Sequence, residues 1–340
     1  MKRRHLFAFA GAAALAAPRI ADAQSGQVVI GTWGGDYAAL LSRHIEQPLL
    51  RPRGIEAVQD VGTPAARRTR LIAERTSRRA SMDVVCLSDA DTHEMGRQGL
   101  LEELTPDKVP NLVHVLPALR HPFALPHIYS VRTVLYLPAR VEPPPRSYAD
   151  LFDARFRNRI GFSDLLYIRL TEAAAIVAGG GESNYEPARA KLREWRALGA
   201  RVYPSNETLA VGLRSEEVWV TIMWLARGYM WRKAGIPVRH VVPAEGCTPY
   251  VSAACVPRNA RNKEAAFAYL NAMLDPSAAL GFAENMGFLP TTTNATLPAE
   301  LLREIGITPD EQAAMRRPDF DYMGRVNAEY LDFWNREFKG

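Results

Sequence analysis

Short apolar segments alternate with amphipathic ones along most of this chain, and this alternation constrains its fold more than any other feature. The apolar, β-branched segment at 27–31 ends in glycine, and apolar residues then recur at helical spacing over 40–49. Further strands are predicted at 82–87, 159–162, 218–223 and 238–242. Strands that alternate with helices predict α/β layers with parallel sheet.

The length of the chain predicts two lobes. Its 340 residues exceed the usual size of a single hydrophobic core. From residue 262 onward the pattern becomes almost wholly helical, with a periodic apolar face over 265–273. We therefore expect two α/β lobes followed by a helical C-terminal region.

The first 23 residues have the pattern of a secretory signal peptide. A positive head at 2–4 precedes an apolar run at 6–17, which is too short to span a bilayer as a stable helix. The small-x-small pattern at 21–23 predicts cleavage after Ala23, so that the mature chain begins at Gln24 in the periplasm. An adjacent arginine pair in the head leaves open whether export uses the general or the twin-arginine route.

Charge gives no indication of a nucleic-acid partner. The whole chain has a net charge of +5, but the signal segment holds four basic residues and one acidic residue, so the mature chain is close to neutral. The basic cluster at 67–79 is interrupted by Glu74 and has no interleaved aromatic residues for base stacking. We interpret this cluster as the solvent-exposed face of a helix.

The three cysteines do not form a disulfide scaffold. Cys86 lies in an apolar run and is predicted to be a core residue. Cys247 and Cys255 are near enough in sequence to pair if the chain turns between them, and the sequence leaves this pairing open.

Catalytic motifs are missing from the sequence. It contains no Gly-x-Ser-x-Gly elbow, no His-Glu-x-x-His, no phosphate-binding loop and no dinucleotide-binding fingerprint after a strand. His121 and His127 bracket a proline-framed loop without an evident third ligand, so we predict neither a metal nor a cofactor. This pattern favours a binding protein. An exported enzyme on the same fold is the alternative.

Six segments together resemble the periplasmic solute-binding components of ABC importers, in the spermidine/putrescine-binding branch. They are 28–35 (VVIGTWGG), 82–89 (MDVVCLSD), 99–104 (GLLEEL), 143–152 (PPPRSYADLF), 241–246 (VVPAEG) and 260–266 (ARNKEAA). Each segment is weak alone, but their order and spacing extend over nearly the whole mature chain.

The resemblance implies a two-lobed periplasmic binding protein of the type II kind, in which each lobe is a mostly parallel sheet flanked by helices. Its partners would be a small-molecule ligand and an ABC permease in the inner membrane, and the receptor itself would be a monomer. We expect one lobe at 24–137 and 253–290 and the other at 138–252 and 291–340. The chain would cross between lobes near 136–139, 251–256 and Pro290.

Ligands of open α/β sheets collect beyond the carboxyl ends of strands, where loops and helix N-termini converge. On that basis and on the resemblance, the predicted ligand-binding residues are Trp33, Gly34, Gly35, Asp36, Ser88, Asp89, Tyr167, Glu207, Trp224, Arg227, Glu245 and Tyr250. For the two tryptophans, core packing is the alternative. Asp36 is more simply explained as a helix cap.

One departure from the family pattern bears on the ligand. Polyamine binders usually bring an aromatic and an acidic residue after the Glu-Gly pair, whereas residues 247–252 here contain Tyr250 but no acid. A desolvated ammonium group needs carboxylates or ring faces. A polyamine therefore stays open as the ligand, beside a zwitterion or a small organic anion held by Arg227.

Overall fold

The computed structural model describes residues 26–340. The predicted signal peptide, its cleavage site after Ala23 and the new terminus at Gln24 lie outside the described residues. No helix within 26–340 is both long enough and apolar enough to cross a membrane.

The described residues form ten strands, twelve α-helices and several shorter helical turns. The strands are β1 Gly26–Thr32, β2 Ile55–Val61, β3 Val84–Ser88, β4 Leu125–Tyr136, β5 Gly161–Ser163, β6 Arg201–Tyr203, β7 Val220–Trp224, β8 Arg239–Val241, β9 Pro249–Cys255 and β10 Leu289–Pro290. The α-helices are α1 Asp36–Leu41, α2 Pro64–Ala73, α3 Asp89–Arg97, α4 Tyr167–Val177, α5 Ala188–Ala197, α6 Asn206–Arg214, α7 Leu225–Lys233, α8 Lys263–Met273, α9 Pro276–Met286, α10 Ala299–Ile305, α11 Pro309–Ala313 and α12 Phe320–Phe333.

Two α-helices continue as π-helical turns, α1 through Ser42–Leu50 and α12 through Trp334–Lys339. The 3₁₀ turns are Arg51–Arg53, Pro110–His114, Pro117–Leu119, Ala149–Phe152, Ala154–Phe156 and Asp164–Leu166.

Local sequence explains most of the helix starts. Thr63 caps α2 by accepting a hydrogen bond from the main-chain N–H of Ala66, and Pro64 occupies the first turn, where its missing N–H costs nothing. The expectation that Asp36 caps α1 is wrong. Gly35 is the N-cap with a φ of 64°, so Asp36 is the first helical residue and its side chain makes no capping bond.

The main sheet has eight strands and is mixed. Strand β1 lies between β2 and β3 and is parallel to both, while β9 pairs antiparallel with β3 and β4. Strands β10, β7 and β8 also pair antiparallel with β4. A separate parallel pair, β5 and β6, completes the strands of the described residues. The expectation of mostly parallel sheets is wrong for the main sheet: of its strands within the described residues, only β1 pairs in parallel, with β2 and β3, because the long strand β4 and its neighbour β9 pair antiparallel with all their partners.

Strand β4 passes from one hydrophobic core into another. Its residues up to Val131 pair with β9, and those from Arg132 to Tyr136 pair with β7. The transition comes earlier than the predicted 136–139, because one continuous strand serves both cores. Ile128 and Val131 belong to a first apolar cluster, which we call core 1, and Val134 belongs to a second one, core 2.

Core 1 is built from β1, β3, β9, α1, α8 and α9, and core 2 from β7, α4, α5 and α12. Two cores agree with two lobes, although the exact lobe bounds stay a prediction. Leu301 and Ile305 of α10 pack in core 1, outside the lobe to which 291–340 was assigned.

The cysteines are all buried and free. Cys86 lies in core 1, as predicted. Cys247 and Cys255, whose pairing the sequence left open, do not form a disulfide.

Candidate functional site

A cleft of about 770 Å³ lies between α2 and α3, which pack in a smaller apolar cluster on β3 and β9, and helices of core 2. One wall comes from α2 and α3, and the other comes from α4 and α12. The charged and aromatic residues that line it are Arg68, Asp91, His93, Glu94, Arg97, Arg169, Phe320, Asp321 and Arg325. A cleft between two lobes, lined by charged groups and one ring, is suited to bind a small polar molecule.

The start of α3 brings Asp89 to this region. Ser88 ends β3 and caps α3 by accepting a hydrogen bond from the main-chain N–H of Asp91. The Asp89 carboxylate accepts main-chain hydrogen bonds from Ala90 at 2.8 Å and Val251 at 3.4 Å. Burial raises the pKa of Asp89, and the nearby Arg169 opposes that shift.

Arg169 reaches toward Asp89 from the opposite wall. Its Nη2 lies 3.7 Å from Asp89 Oδ1, and its Nη1 lies 3.8 Å from Glu172 Oε2. The side chain is only 9% exposed, yet Nη1 has no hydrogen-bond partner among the described residues. The ring of Phe320 lies 5.6 Å from the guanidinium carbon.

A buried network below the cleft holds α4 in place. Arg132 donates to Glu172 Oε2 at 2.7 Å and to Thr248 Oγ1 at 2.9 Å, and both ion-pair side chains are fully buried. Its guanidinium also donates to the Tyr148 hydroxyl at 3.1 Å and to the main-chain carbonyl of Arg169 at 2.6 Å. Arg132 thus connects β4 directly to the helix that carries Arg169.

Trp33 packs beside a second buried arginine. The Arg67 guanidinium lies 4.6 Å from the Trp33 ring centroid and donates to the main-chain carbonyls of Thr32 at 2.7 Å, Gly62 at 2.6 Å and Cys86 at 2.8 Å. Burial lowers its pKa. The interpretation of the 67–79 cluster as solvent-exposed is wrong at Arg67. Its side chain is 2% exposed and satisfies carbonyl groups at the end of β1, just after β2 and within β3.

The structure brings four of the predicted residues together in two pairs. The rings of Trp224 and Tyr250 lie 5.5 Å apart between centroids, and Arg227 Nη1 lies 3.6 Å from Glu207 Oε1. Burial raises the pKa of Tyr250. These contacts place the Arg227 guanidinium next to a carboxylate of its own chain.

The remaining predicted residues have other surroundings. Gly34, Gly35 and Asp36 are exposed beyond β1. Tyr167 donates a 2.5 Å hydrogen bond to Asn327 Oδ1. The Glu245 carboxylate accepts main-chain hydrogen bonds from 148 and 149, each at 3.1 Å, and thereby holds the start of the Ala149–Phe152 turn.

Among the described residues that line the 770 Å³ cleft, none belongs to the predicted set. Asp89 lines a neighbouring cavity of about 440 Å³, which shares His93 and Phe320 with the cleft. The described residues contain no group of three or more His, Cys, Asp or Glu that could hold a metal ion.

Arg169 and Phe320 are functional candidates that the sequence reasoning missed. Arg169 had a signal, since it stands with Glu172 at i, i+3 in a helix that is otherwise mostly apolar. Phe320 had no such signal in the sequence, because only the tertiary packing of α12 near α3 brings it to the cleft.

Comparisons with known proteins agree with this architecture. The family model of bacterial extracellular solute-binding proteins matches residues 67–308. The spermidine/putrescine-binding periplasmic protein of Salmonella typhimurium is 23% identical over 275 residues, which are 77% of this chain and 79% of that protein.

Two solved structures are similar over most of the chain. The spermidine/putrescine ABC transporter substrate-binding protein of Streptococcus pneumoniae has a TM-score of 0.76 and 21% identity, covering 91% of this chain and 98% of its own. A GABA receptor, Atu4243, has a TM-score of 0.78 and 20% identity, and the match covers 91% of this chain and 97% of the receptor chain. These likenesses confirm the predicted two-lobed α/β fold.

Proposed function

Because the chain belongs to the family of bacterial extracellular solute-binding proteins, we propose that it is the periplasmic solute receptor of an ABC importer. It captures one small solute between its two lobes and delivers that solute to a permease in the inner membrane. The relatives named above are binding proteins of this kind, which supports a receptor over the exported enzyme considered from the sequence.

One observation carries the proposal. Strand β4 runs through both cores, and Arg169 of α4 lines the cleft and forms an ion pair at 3.7 Å with Asp89 at the start of α3. A continuous connection on one side and a charged cleft on the other are the elements that hinge closure around a ligand requires. Closure would exclude water and strengthen each polar contact with the solute.

The charges of the cleft support a ligand other than a polyamine. Each carboxylate that lines it already has a cationic partner: Asp91 and Glu94 pair with Arg68, and Asp321 pairs with Arg97. A desolvated ammonium group would have to compete for these carboxylates. The relatives bear names of different ligands, polyamines in one case and GABA in the other, so the residues of this chain decide its ligand class.

Native mass spectrometry of the freshly purified mature protein tests the proposal. We expect one small molecule per chain, lost on unfolding and recovered chemically unchanged in the low-mass fraction. Conversion of that molecule during incubation would favour the enzyme. A chain that never carries a solute and binds none from a periplasmic extract would contradict the receptor.

A further inference from the structure

We propose that Arg169 binds a carboxylate group of the solute, so that the cleft selects solutes that carry at least one carboxylate. This inference rests on the proposed receptor function and names the ligand class of the same cleft. It differs from the sequence-based hypothesis, in which Arg227 holds the anion.

The hydrogen bonding of Arg169 is incomplete. A guanidinium has five N–H donors in a planar fork, yet Arg169 Nη1 is buried without a partner among the described residues. The two carboxylates nearest to the fork lie at 3.7 and 3.8 Å, beyond good hydrogen-bond distance. A carboxylate in the cleft could accept two parallel hydrogen bonds from such a fork.

Both neighbouring carboxylates are held by other donors. Glu172 takes the 2.7 Å hydrogen bond from Arg132, and Asp89 accepts from the main-chain N–H groups of 90 and 251. The two carboxylates therefore compensate the buried positive charge of Arg169, but neither lies near enough to accept a good hydrogen bond from its guanidinium.

The surroundings of Arg169 favour an anion in the cleft. Arg325 also lines the cleft and forms no ion pair among the described residues, whereas Arg68 and Arg97 pair with carboxylates of the walls. Phe320 packs near the Arg169 guanidinium. A ring at this distance restricts the orientation of the guanidinium without occupying its donors. Arg227, in contrast, is 32% exposed, pairs with Glu207 and does not line the described cleft.

Three probes with four-carbon chains differ only in their terminal groups, so their affinities show the effect of a carboxylate on binding. Putrescine has no carboxylate, 4-aminobutyrate has one and succinate has two, at the same chain length. Calorimetry on the dialysed mature protein should detect binding of 4-aminobutyrate or succinate at millimolar concentration. The protein should bind putrescine at least about tenfold more weakly. Tighter binding of putrescine, or no binding of any probe at that concentration, overturns the inference.

Variants then test the residue. Arg169→Gln should weaken binding of the carboxylate probe by about tenfold or more, and Arg169→Lys should restore it only in part, because an ammonium lacks the fork. Arg140→Gln is the matched control, since it removes an exposed guanidinium that pairs with Glu216. Unchanged binding in both Arg169 variants overturns the inference. If Arg169→Gln does not fold, the affinity of Arg169→Lys and the relative affinities of the wild type for the three probes test the inference instead.

The two proposals fail in different ways. A single bound solute without a carboxylate in native mass spectrometry would leave the receptor standing and overturn the role of Arg169. Absence of any bound solute would contradict the receptor itself.

Discussion

The Asp89 carboxylate at the start of α3 and the Arg169 guanidinium of α4 lie 3.7 Å apart and link the two helices that form opposite walls of the cleft. Asp89 begins α3, which lies beside the sheet of core 1, and Arg169 belongs to α4, which packs in core 2. Toward the end of α3, Asp321 of α12 makes a second set of contacts, with His93 and Arg97. Any opening of the cleft therefore has to separate these groups, and a bound solute is placed to exchange contacts with them.

The buried pair between Arg132 and Glu172 should dominate the stability of the region below the cleft. Arg132→Met removes the hydrogen-bonded partner of the buried Glu172 carboxylate and leaves only the 3.8 Å contact with Arg169, which should cost about 3–5 kcal/mol of unfolding free energy. Arg140→Met removes an exposed pair with Glu216 and should cost no more than about 1 kcal/mol. Urea titrations of both variants compare the two costs, and equal costs would contradict the assigned role of Arg132.

Much of the fold was predictable because its signals are local. The apolar run of β1, the Thr63-Pro64 start of α2 and the polar turn at Ser88 each depend on residues within a few positions of one another. Such patterns reflect propensity and capping, which act before any tertiary contact forms.

The site was less predictable because it is assembled from distant segments. Arg67 was interpreted as solvent-exposed, but its partners are carbonyls of 32, 62 and 86. Glu245 was assigned to the ligand, but its carboxylate holds the start of a turn nearly a hundred residues earlier in the chain. A side chain's neighbours across the fold decide its role, and neither composition nor spacing reveals them.

His127 should make the protein less stable in acid. Burial lowers the pKa of its imidazole to about 3, from the ordinary 6.5. The unfolded chain then binds more protons between these two values, so stability is complete above pH 6.5 and falls as pH decreases toward 3. From pH 7 to pH 5 this group should cost about 2 kcal/mol.

The test compares wild type with His127→Gln, in which an amide can still hydrogen-bond to the Tyr37 hydroxyl that contacts His127 Nδ1 at 2.7 Å. The variant should lose about 2 kcal/mol less than the wild type over the same pH change. Other groups, such as Asp89, titrate in both proteins and cancel in the difference. Parallel pH curves for the two proteins would refute the role of His127.

Trp33 lines neither the 770 Å³ cleft nor the neighbouring cavity, so the sequence-based hypothesis that it contributes to binding stays a prediction. Trp33→Ala should weaken the tightest of the three four-carbon probes by about 1–3 kcal/mol while the fold stays intact. Trp219→Ala is a suitable control, because Trp219 also packs under an arginine, Arg159, at 4.7 Å. Calorimetry and thermal unfolding of both variants separate affinity from stability, and equal affinities would assign Trp33 to packing alone.

Export should remove the N-terminal segment. N-terminal sequencing of protein recovered from the periplasm should begin at Gln24, as the small-x-small pattern at 21–23 predicts. Recovery of chains that still begin at Met1 would contradict this expectation.

Closure of the two lobes on a solute is the central claim, and small-angle X-ray scattering tests it most directly. The radius of gyration is measured on the dialysed mature protein, without solute and with the tightest-binding probe at saturation. We predict a smaller radius with solute, because the walls formed by α3 and by α4 and α12 move together around it. Superimposable scattering profiles at a concentration where calorimetry shows saturation would contradict capture by closure.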